Sequence, residues 1–287
     1  MSKIYILLPV HNRKEITRGF VECLKTQTFQ DYHLVLIDDG SNDGTADMVK
    51  ENILSVTVLR GIGDWWWAGS LQQGIGWLHQ QMVDDSQVVL IINDDVSIEK
   101  DFLEIGVNLL AEERNALLQA RAYCKNSNEL IAAGNVFDGK TLHFRPALEG
   151  ESINCLTTNG LFMRWGDLKR IGNFHSKLLP HYLSDYEFTI RAHARGLKLI
   201  SPPELELRWN MDTSGLRHFD PDTSFWKFTK SYFSNKNTMN PMHWTAFILL
   251  GKYIQRRPYW IISVWAHAGR MILKKAAERS RGFLFGR

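Results

Sequence analysis

The stretch "LVLIDDGSNDGT", Leu34–Thr45, decides how this chain is read. Leu34 to Ile37 are apolar without a break, and the chain then turns abruptly polar. An uninterrupted apolar run bounded by turn residues is the pattern of a strand covered on both faces. Asp38, Asp39, Gly40, Ser41 and Asn42 all favour turns, and "DGTADMVKENI" carries a helix pattern with Asp or Thr at the cap position. The stretch therefore predicts a buried strand, an acidic turn and a helix.

The same unit recurs on both sides. "KIYILLPV" is a second continuous apolar run, and "EITRGFVECLKTQ" places Ile16, Phe20, Val21 and Leu24 on one helical face. Downstream, "SVTVLRG" reads as a strand, "GSLQQGIGWLHQQM" as a helix and "QVVLIIND" as a fourth strand. Repeated strand and helix imply right-handed crossovers and a mainly parallel sheet. Ligands of such sheets sit beyond the carboxyl ends of the strands. "PVHNR", "DDGSND", "GIGDWWW" and "NDDV" each follow a strand, so all four are predicted to line one edge.

Past Asp101 the alternation weakens. "LIAAGNVFDGKTLHF" reads as short strands with an Asp-Gly turn at 138–139. "CLTTNGLFMRWGDLKRIGNF" suggests a strand and a short helix. "LSDYEFTIRAHARGL" is an amphipathic helix with Phe188, Ile190 and Ala194 inward, ended by Gly196.

Composition sets the bounds. With 44% hydrophobic and 23% charged residues over 287 positions, the chain is a folded globule of one large or two small domains. Cys23, Cys124 and Cys155 are odd in number and lack metal-ligand spacing, which argues against a disulfide scaffold or zinc site and suits a reducing compartment. The first apolar run, Ile4 to Val10, is too short for a signal-peptide core. Residues 251–287 hold nine Lys or Arg against Glu278, a balance of +8 that leaves −5 on the rest of a +3 chain.

Two acidic groups, Asp38-Asp39 and Asn93-Asp94-Asp95, are thus predicted on the same edge. Like charges brought together repel. A divalent cation carrying a phosphate would compensate them: Mg2+ or Mn2+ takes oxygen ligands and binds one or two carboxylates beside substrate phosphates.

In order and spacing, "YILLPVHNR", "LVLIDDGSNDGT", "GDWWWAGSLQQGI" and "LIINDDV" resemble the GT-A glycosyltransferases of family 2 over about residues 3–215. The resemblance implies an α/β fold with a mostly parallel central sheet flanked by helices. It also implies inverting transfer from a nucleotide-diphospho-sugar, UDP- or dTDP-linked, with Mg2+ or Mn2+ as cofactor. Carried over by position, Pro9, Val10, Asn12 and Arg13 hold the donor, and Asp38 or Asp39 contacts the base. Asn93 stands for the first Asp of the family's D-x-D, Asn93 and Asp94 touch the donor, and Asp95 is the metal ligand. In the third loop Asp64 replaces an Asn, Trp66 a Gly, and Trp67 stands for the family's aromatic at the donor, so one of Trp65, Trp66 and Trp67 is expected on ligand and two in packing.

"HYLSDYEFTIRAHARGLKL" resembles the family's E-D-x-D-x-x-x-R helix, with Ser184 for Glu and Glu187 for the second Asp. This makes Asp185 the general base, with Glu187 and Arg191 in support; read without the family, Ser184 is a helix cap. Asn159 in "TTNGLFM" is the acceptor-side candidate. Where family members carry a metal- or diphosphate-binding His, this chain has Trp209, with His218 further on. "HYLSDYEF" and "WWWAG" also resemble a bacterial branch that builds surface polysaccharide, such as O-antigen or capsule, including rhamnosyltransferase-like members.

The expected organisation is a catalytic domain over 1–220, with a nucleotide half to about 100 and an acceptor half after it. A basic, aromatic helical extension follows over 221–287. There Trp260, Ile261, Val264, Trp265 and Ala268 recur at helical spacing ahead of Arg270, Lys274 and Lys275. No apolar stretch is long enough to span a bilayer. The extension is therefore expected to lie on the cytoplasmic face of the inner membrane, or to pack on the body or a second copy in a homo-oligomer. The acceptor would be a glycan or lipid-linked glycan. Nucleic acid fits poorly, because no nucleic-acid motif accompanies the basic run. Two rivals remain: a sugar-phosphate nucleotidyltransferase, disfavoured because "LLPVHNRKE" has no glycine, and a non-catalytic nucleotide- or carbohydrate-binding protein of the same fold.

Overall fold

A computed structural model describes residues 3–213 and 224–285. The first half alternates as the sequence suggests: β1 (Ile4–Val10), α1 (Lys14–Lys25), β2 (Tyr32–Asp38), α2 (Thr45–Asn52), β3 (Val56–Arg60), α3 (Trp66–Gln80) and β4 (Val88–Ile91). Then follow β5 (Val96–Ser97), α4 (Phe102–Glu112), β6 (Ala116–Gln119), β7 (Arg121–Cys124), β8 (Leu130–Ala132) and the hairpin β9 (Asn135–Asp138)–β10 (His143–Pro146). The rest comprises β11 (Leu161–Arg164), α5 (Trp165–Ile171), α6 (Ser184–Ala194), β12 (Lys198–Ile200), β13 (Glu206–Trp209), α7 (Phe225–Tyr232), α8 (Pro241–Leu250) and α9 (Arg257–Phe285).

The central sheet has seven strands in the order β12-β6-β11-β4-β1-β2-β3. β1 pairs in parallel with both β2 and β4, and β2 with β3. β11 runs antiparallel between β4 and β6. The chain leaves β1 toward β2 and β3, then returns to β1's other side as β4. Such a reversal is where open α/β sheets leave a crevice for ligands. Each sheet face is sealed by its own apolar cluster, one around Ile6, Leu8, Phe20 and Leu36, the other around Leu7, Ile37, Leu71 and Val89. This two-sided burial is why strands 1, 2 and 4 read as unbroken apolar runs.

Two local expectations are corrected. On α6 the inward face is Phe188, Ile190 and Ala192, while Ala194 is exposed, because it lies past the stripe that meets β12 and α5. Ser184 is not a cap: Leu183 occupies that position with φ 67°, and the Ser184 hydroxyl donates to the His181 carbonyl instead.

The extension is built into the molecule. Phe247, Ile248 and Ile254 share a cluster with Phe137 of the hairpin and Ile190 of α6, with Trp260, Ile261 and Val264 packed against it. Tyr259, Ile262, Trp265 and Leu273 of α9 face outward. Among the described residues, no helix is long and apolar enough to cross a membrane. The boundary expected at 220/221 lies outside the described residues.

Candidate active site

β1, β2 and β3 end side by side, Val10 opposite Asp38 and Asp38 opposite Arg60. The Val10 side chain is core, and its carbonyl accepts the Asp39 N–H, so Pro9 and Val10 form the floor of the crevice. The Asp38 carboxylate accepts the Ser41 N–H at 2.8 Å and closes the turn. Asp39 does more. It accepts the N–H groups of Gly63 (2.8 Å), Trp65 (2.9 Å) and Trp66 (3.1 Å), placing an anion at the start of α3. A Cβ on Gly61 would lie 2.5 Å from an Asp39 carboxylate oxygen and 2.8 Å from the Trp65 ring, so glycine is required there.

Asn12 sits at φ 51°, a left-handed conformation that Asn tolerates. It ties the first two loops together: its N–H donates to Ser41 Oγ at 2.8 Å, and its Oδ1 accepts the Asn42 N–H at 2.9 Å. His11 Nδ1 lies 2.6 Å from the Asp39 carbonyl oxygen and Nε2 3.1 Å from the Asn12 amide nitrogen. A carbonyl can only accept, which assigns the proton to Nδ1 and leaves Nε2 to accept from Asn12.

The three tryptophans divide their work. Trp65 and Trp67 pack against the cluster holding Leu7 and Ile37. Trp67 sets its edge on Phe174, 5.5 Å between centroids, and its indole N–H points at Asn93 Oδ1, 3.4 Å away. Trp66 turns the other way, with φ 57°. Its ring meets His181 edge-on at 6.2 Å, and Lys236 Nζ stands 5.9 Å from its centroid. The family's glycine at this position matches a backbone that L side chains adopt at a cost of about 1–2 kcal/mol. Asp64 is exposed at the tip of the loop.

The second acidic group lies across β1. Asp94 accepts from Arg13 Nε, 2.9 Å to Oδ1, and from Thr17 Oγ1 at 2.8 Å. Arg13 Nη2 lies 3.5 Å from Asp95 Oδ2. Part of the positive charge that the converging carboxylates call for is therefore supplied by the chain. Burial raises both carboxyls above their ordinary range; Arg13 opposes this in both, and the Trp209 indole beside Asp95 also favours its charged form. Asp95 Oδ1 is buried without a hydrogen-bond partner. Hard divalent cations complete their shells with phosphate and water, so that oxygen fits a cation held through one carboxylate. Among the described residues no group of three or more His, Cys, Asp or Glu is spaced to hold one. The Asn93 N–H donates to Asn159 Oδ1 at 3.3 Å, and the Asn159 amide nitrogen is buried without a partner.

Asp185 opens α6 beside this edge. The segment leading to it is tied to the tryptophan loop, the Ala68 N–H donating to the Pro180 carbonyl at 3.0 Å. Burial pushes the Asp185 carboxyl up to about 6, and the Tyr186 N–H, 2.9 Å from Oδ1, opposes this in part. Glu187 is differently placed. It accepts two bonds from Arg191, Nε at 2.8 Å and Nη2 at 2.9 Å, and Arg191 also donates to the Ile171 and Asn173 carbonyls. The pair clamps the α5–α6 connection to α6.

The structure thus gathers Asn12, Arg13, Asp38, Asp39, Trp67, Asn93, Asp94, Asp95 and Asn159 at the ends of four strands, with Asp185 at the adjacent helix. His218 lies outside the described residues. Sequence reading missed Thr17, His11 and His181. Thr17 is one turn past Arg13 on the buried face of α1, a spacing that could have marked it; nothing local marks His181.

Residues 5–168, more than half of the chain, match the model of glycosyl transferase family 2. EpsH of Bacillus subtilis (strain 168), assigned as a glycosyltransferase, is 20% identical over 73% of this chain and 62% of its own. The amylovoran biosynthesis glycosyltransferase AmsB of Erwinia amylovora is 23% identical over 68% and 65%. The chain thus spans less than two thirds of either relative. The solved structure of S. aureus TarS 1–349 in complex with UDP superposes with a TM-score of 0.59 at 17% identity, covering 99% of this chain and 73% of that one. The mannosyltransferase PcManGT of Pyrobaculum calidifontis, in complex with GDP-Man and Mn2+, gives 0.56 at 13%, covering 96% and 79%. These likenesses bear on the fold, a GT-A fold. Together with the family match they lead to one conclusion: the chain belongs to glycosyl transferase family 2.

Proposed function

We propose that the chain is an inverting glycosyltransferase that moves a sugar from a nucleotide-diphospho-sugar to a hydroxyl of a glycan or lipid-linked glycan, in bacterial surface polysaccharide synthesis. The observation that carries this reading is Asp185: a carboxylate raised to about 6 by burial, at a helix start tied to the loop that follows β3. A base is most effective when its pKa lies near the working pH. At pH 7 Asp185 is ionised and still basic enough to take the proton of an attacking hydroxyl as the bond forms. Attack opposite the leaving group, through an oxocarbenium-like state, inverts the anomeric centre. Asn12, Arg13, Asp38, Asp39, Asp64, Trp67, Asn93 and Asp94 frame the donor, and Asn159 offers its unpartnered amide to the sugar. Asp95 Oδ1 would hold Mg2+ or Mn2+, which when bound neutralises charge on the departing diphosphate. Proteins of like fold solved in complex with UDP and with GDP-Man and Mn2+ support a nucleotide-sugar donor.

The test is Asp185→Asn. The chain without its base should keep donor affinity, read by thermal shift with UDP-, dTDP-, GDP- and CMP-sugars with and without Mn2+. Transfer should fall by about 10²–10⁴; near-wild-type transfer would place the base elsewhere.

One observation favours a second reading, a non-catalytic binder of the same fold: Arg13 already pairs with the acids expected at the metal. Such a protein would show no donor hydrolysis above background. The basic α9, with Tyr259, Ile262, Trp265 and Leu273 outward, supports docking on anionic membrane. Co-sedimentation with phosphatidylglycerol vesicles, and none with phosphatidylcholine, is expected.

A further inference from the structure

Between the tryptophan loop and α6, outside the residues assigned above, four side chains from four separate segments lie within electrostatic or ring contact of His181 or Trp66. They are Trp66, His181, Lys236 of the α7–α8 connection and His243 on the first turn of α8. Trp66 contacts both His181 and Lys236, and Lys236 and His243 each lie near enough that a positive charge on them disfavours one on His181. Both imidazoles are left unsatisfied: the Nδ1 atoms of His181 and His243 are buried and without a hydrogen-bond partner. His243 is 7% exposed. Buried polar atoms are nearly always paired, so two orphans in one cluster call for an absent partner. The position is close to the chemistry, since His181 lies four residues before Asp185 in the turn that leads into α6, and its carbonyl holds the Ser184 hydroxyl.

The chemistry of the cluster selects the partner. An ammonium has three donors and no acceptor, and each neutral imidazole has one N–H to give. Among the described residues no carboxylate ion-pairs with Lys236, and none bears on His181. The Trp66 ring beneath Lys236 holds the ammonium in place. Burial lowers both imidazoles, His181 to about 4, so at neutral pH the pair is uncharged and Lys236 supplies the positive charge. Donors gathered round one cation, with no anion among the described residues to answer them, suit the oxygens of a phosphoryl group.

We infer that Trp66, His181, Lys236 and His243 form a phosphoryl-binding subsite beside Asp185, completed by the C-terminal extension. Its place in the reaction rests on the transferase reading above. The phosphoryl group belongs either to the donor's diphosphate or to a phosphate-bearing acceptor.

The full chain, labelled in its histidine rings, is titrated with inorganic phosphate and followed by NMR. The resonances of His181 and His243 should shift together. Lys236 is exposed, so Lys236→Gln tests the site without disturbing the core; phosphate should bind about tenfold more weakly, as loss of a charge-assisted contact implies. Lys236→Arg should restore binding. UDP separates the two sources. If saturating UDP moves the same rings and excludes phosphate, the group is the donor's; if phosphate still binds to the UDP-saturated protein, it is the acceptor's. Rings unmoved by millimolar phosphate and pyrophosphate, or shifts unchanged in Lys236→Gln, would overturn the inference. The readout needs no turnover, so failure of the subsite leaves the transferase reading standing. A protein that binds phosphate here yet never hydrolyses or transfers any donor would reverse that outcome.

Discussion

Asp39→Asn changes one atom and should loosen the whole third loop. In the native protein Asp39 Oδ1 accepts from Gly63 and Oδ2 from both Trp65 and Trp66, at 2.8–3.1 Å. Asn has a single acceptor oxygen. Turned toward the two tryptophans, it sets its NH2 against the Gly63 N–H; turned toward Gly63, it opposes both tryptophans. The milder choice still loses one charge-assisted bond, leaves one donor facing another, and removes the anion at the start of α3. Bonds to charged groups contribute about 1.5–3 kcal/mol each, and Asp39 is 6% exposed, so water cannot substitute freely. The expected loss is about 2–4 kcal/mol. At about 2–4 °C per kcal/mol for a chain of this size, the melting temperature should fall by about 4–16 °C. Amide hydrogen exchange should locate the damage, with Gly63, Trp65 and Trp66 losing protection first. A variant melting within about 2 °C of wild type, with those amides still protected, would refute the view that Asp39 holds the loop.

Transfer should depend on pH through Asp185. Below about 6 its carboxyl keeps the proton and cannot accept another, so kcat should fall about tenfold per pH unit on the acid side and level off above it; a flat profile between pH 5 and 8 would remove Asp185 from the step. Trp66→Gly should raise the melting temperature by a few degrees, since glycine accepts φ 57° without the steric cost of about 1–2 kcal/mol; calorimetry checks it. Glu187→Gln should cost about 3 kcal/mol of stability by leaving Arg191 without its charge partner. Its transfer rate per folded molecule should nevertheless exceed that of Asp185→Asn, as measured in parallel.

Much of the fold was legible because the signals are local. Ile4–Val10, Leu34–Ile37 and Val88–Ile91 are apolar without alternation since both sheet faces are covered, and each ends where polarity returns. What the chain concealed are pairings between distant side chains. Arg13 meets Asp94 across 81 positions, a contact that the expectation of a donor ligand at Arg13 did not include. The start of α3 at Trp66 rather than Gly69 was hidden too, because no pattern calls for a tryptophan at positive φ. His181 and Lys236 have no local mark at all; their significance comes from where α6 and the extension bring them.

The carboxylates of the edge differ in what answers their charge, and that difference assigns their work. Asp38 and Asp39 are answered by backbone N–H groups and hold loops. Asp94 is answered by Arg13 and Thr17, Glu187 by Arg191. Asp185 has the Tyr186 N–H against it and burial as the dominant influence, which raises rather than lowers its affinity for a proton. The linkage follows in sign. A carboxyl at 3.8 when unfolded and about 6 when folded binds more protons in the fold between those values. Stability from this group is therefore greatest below pH 3.8 and is lost as pH rises through 6. At neutral pH the ionised Asp185 therefore strains the fold. Burial raises Asp94 and Asp95 as well, but Arg13 opposes it in both; at Asp185 only backbone N–H groups oppose it, which keeps that carboxylate ready to take a proton.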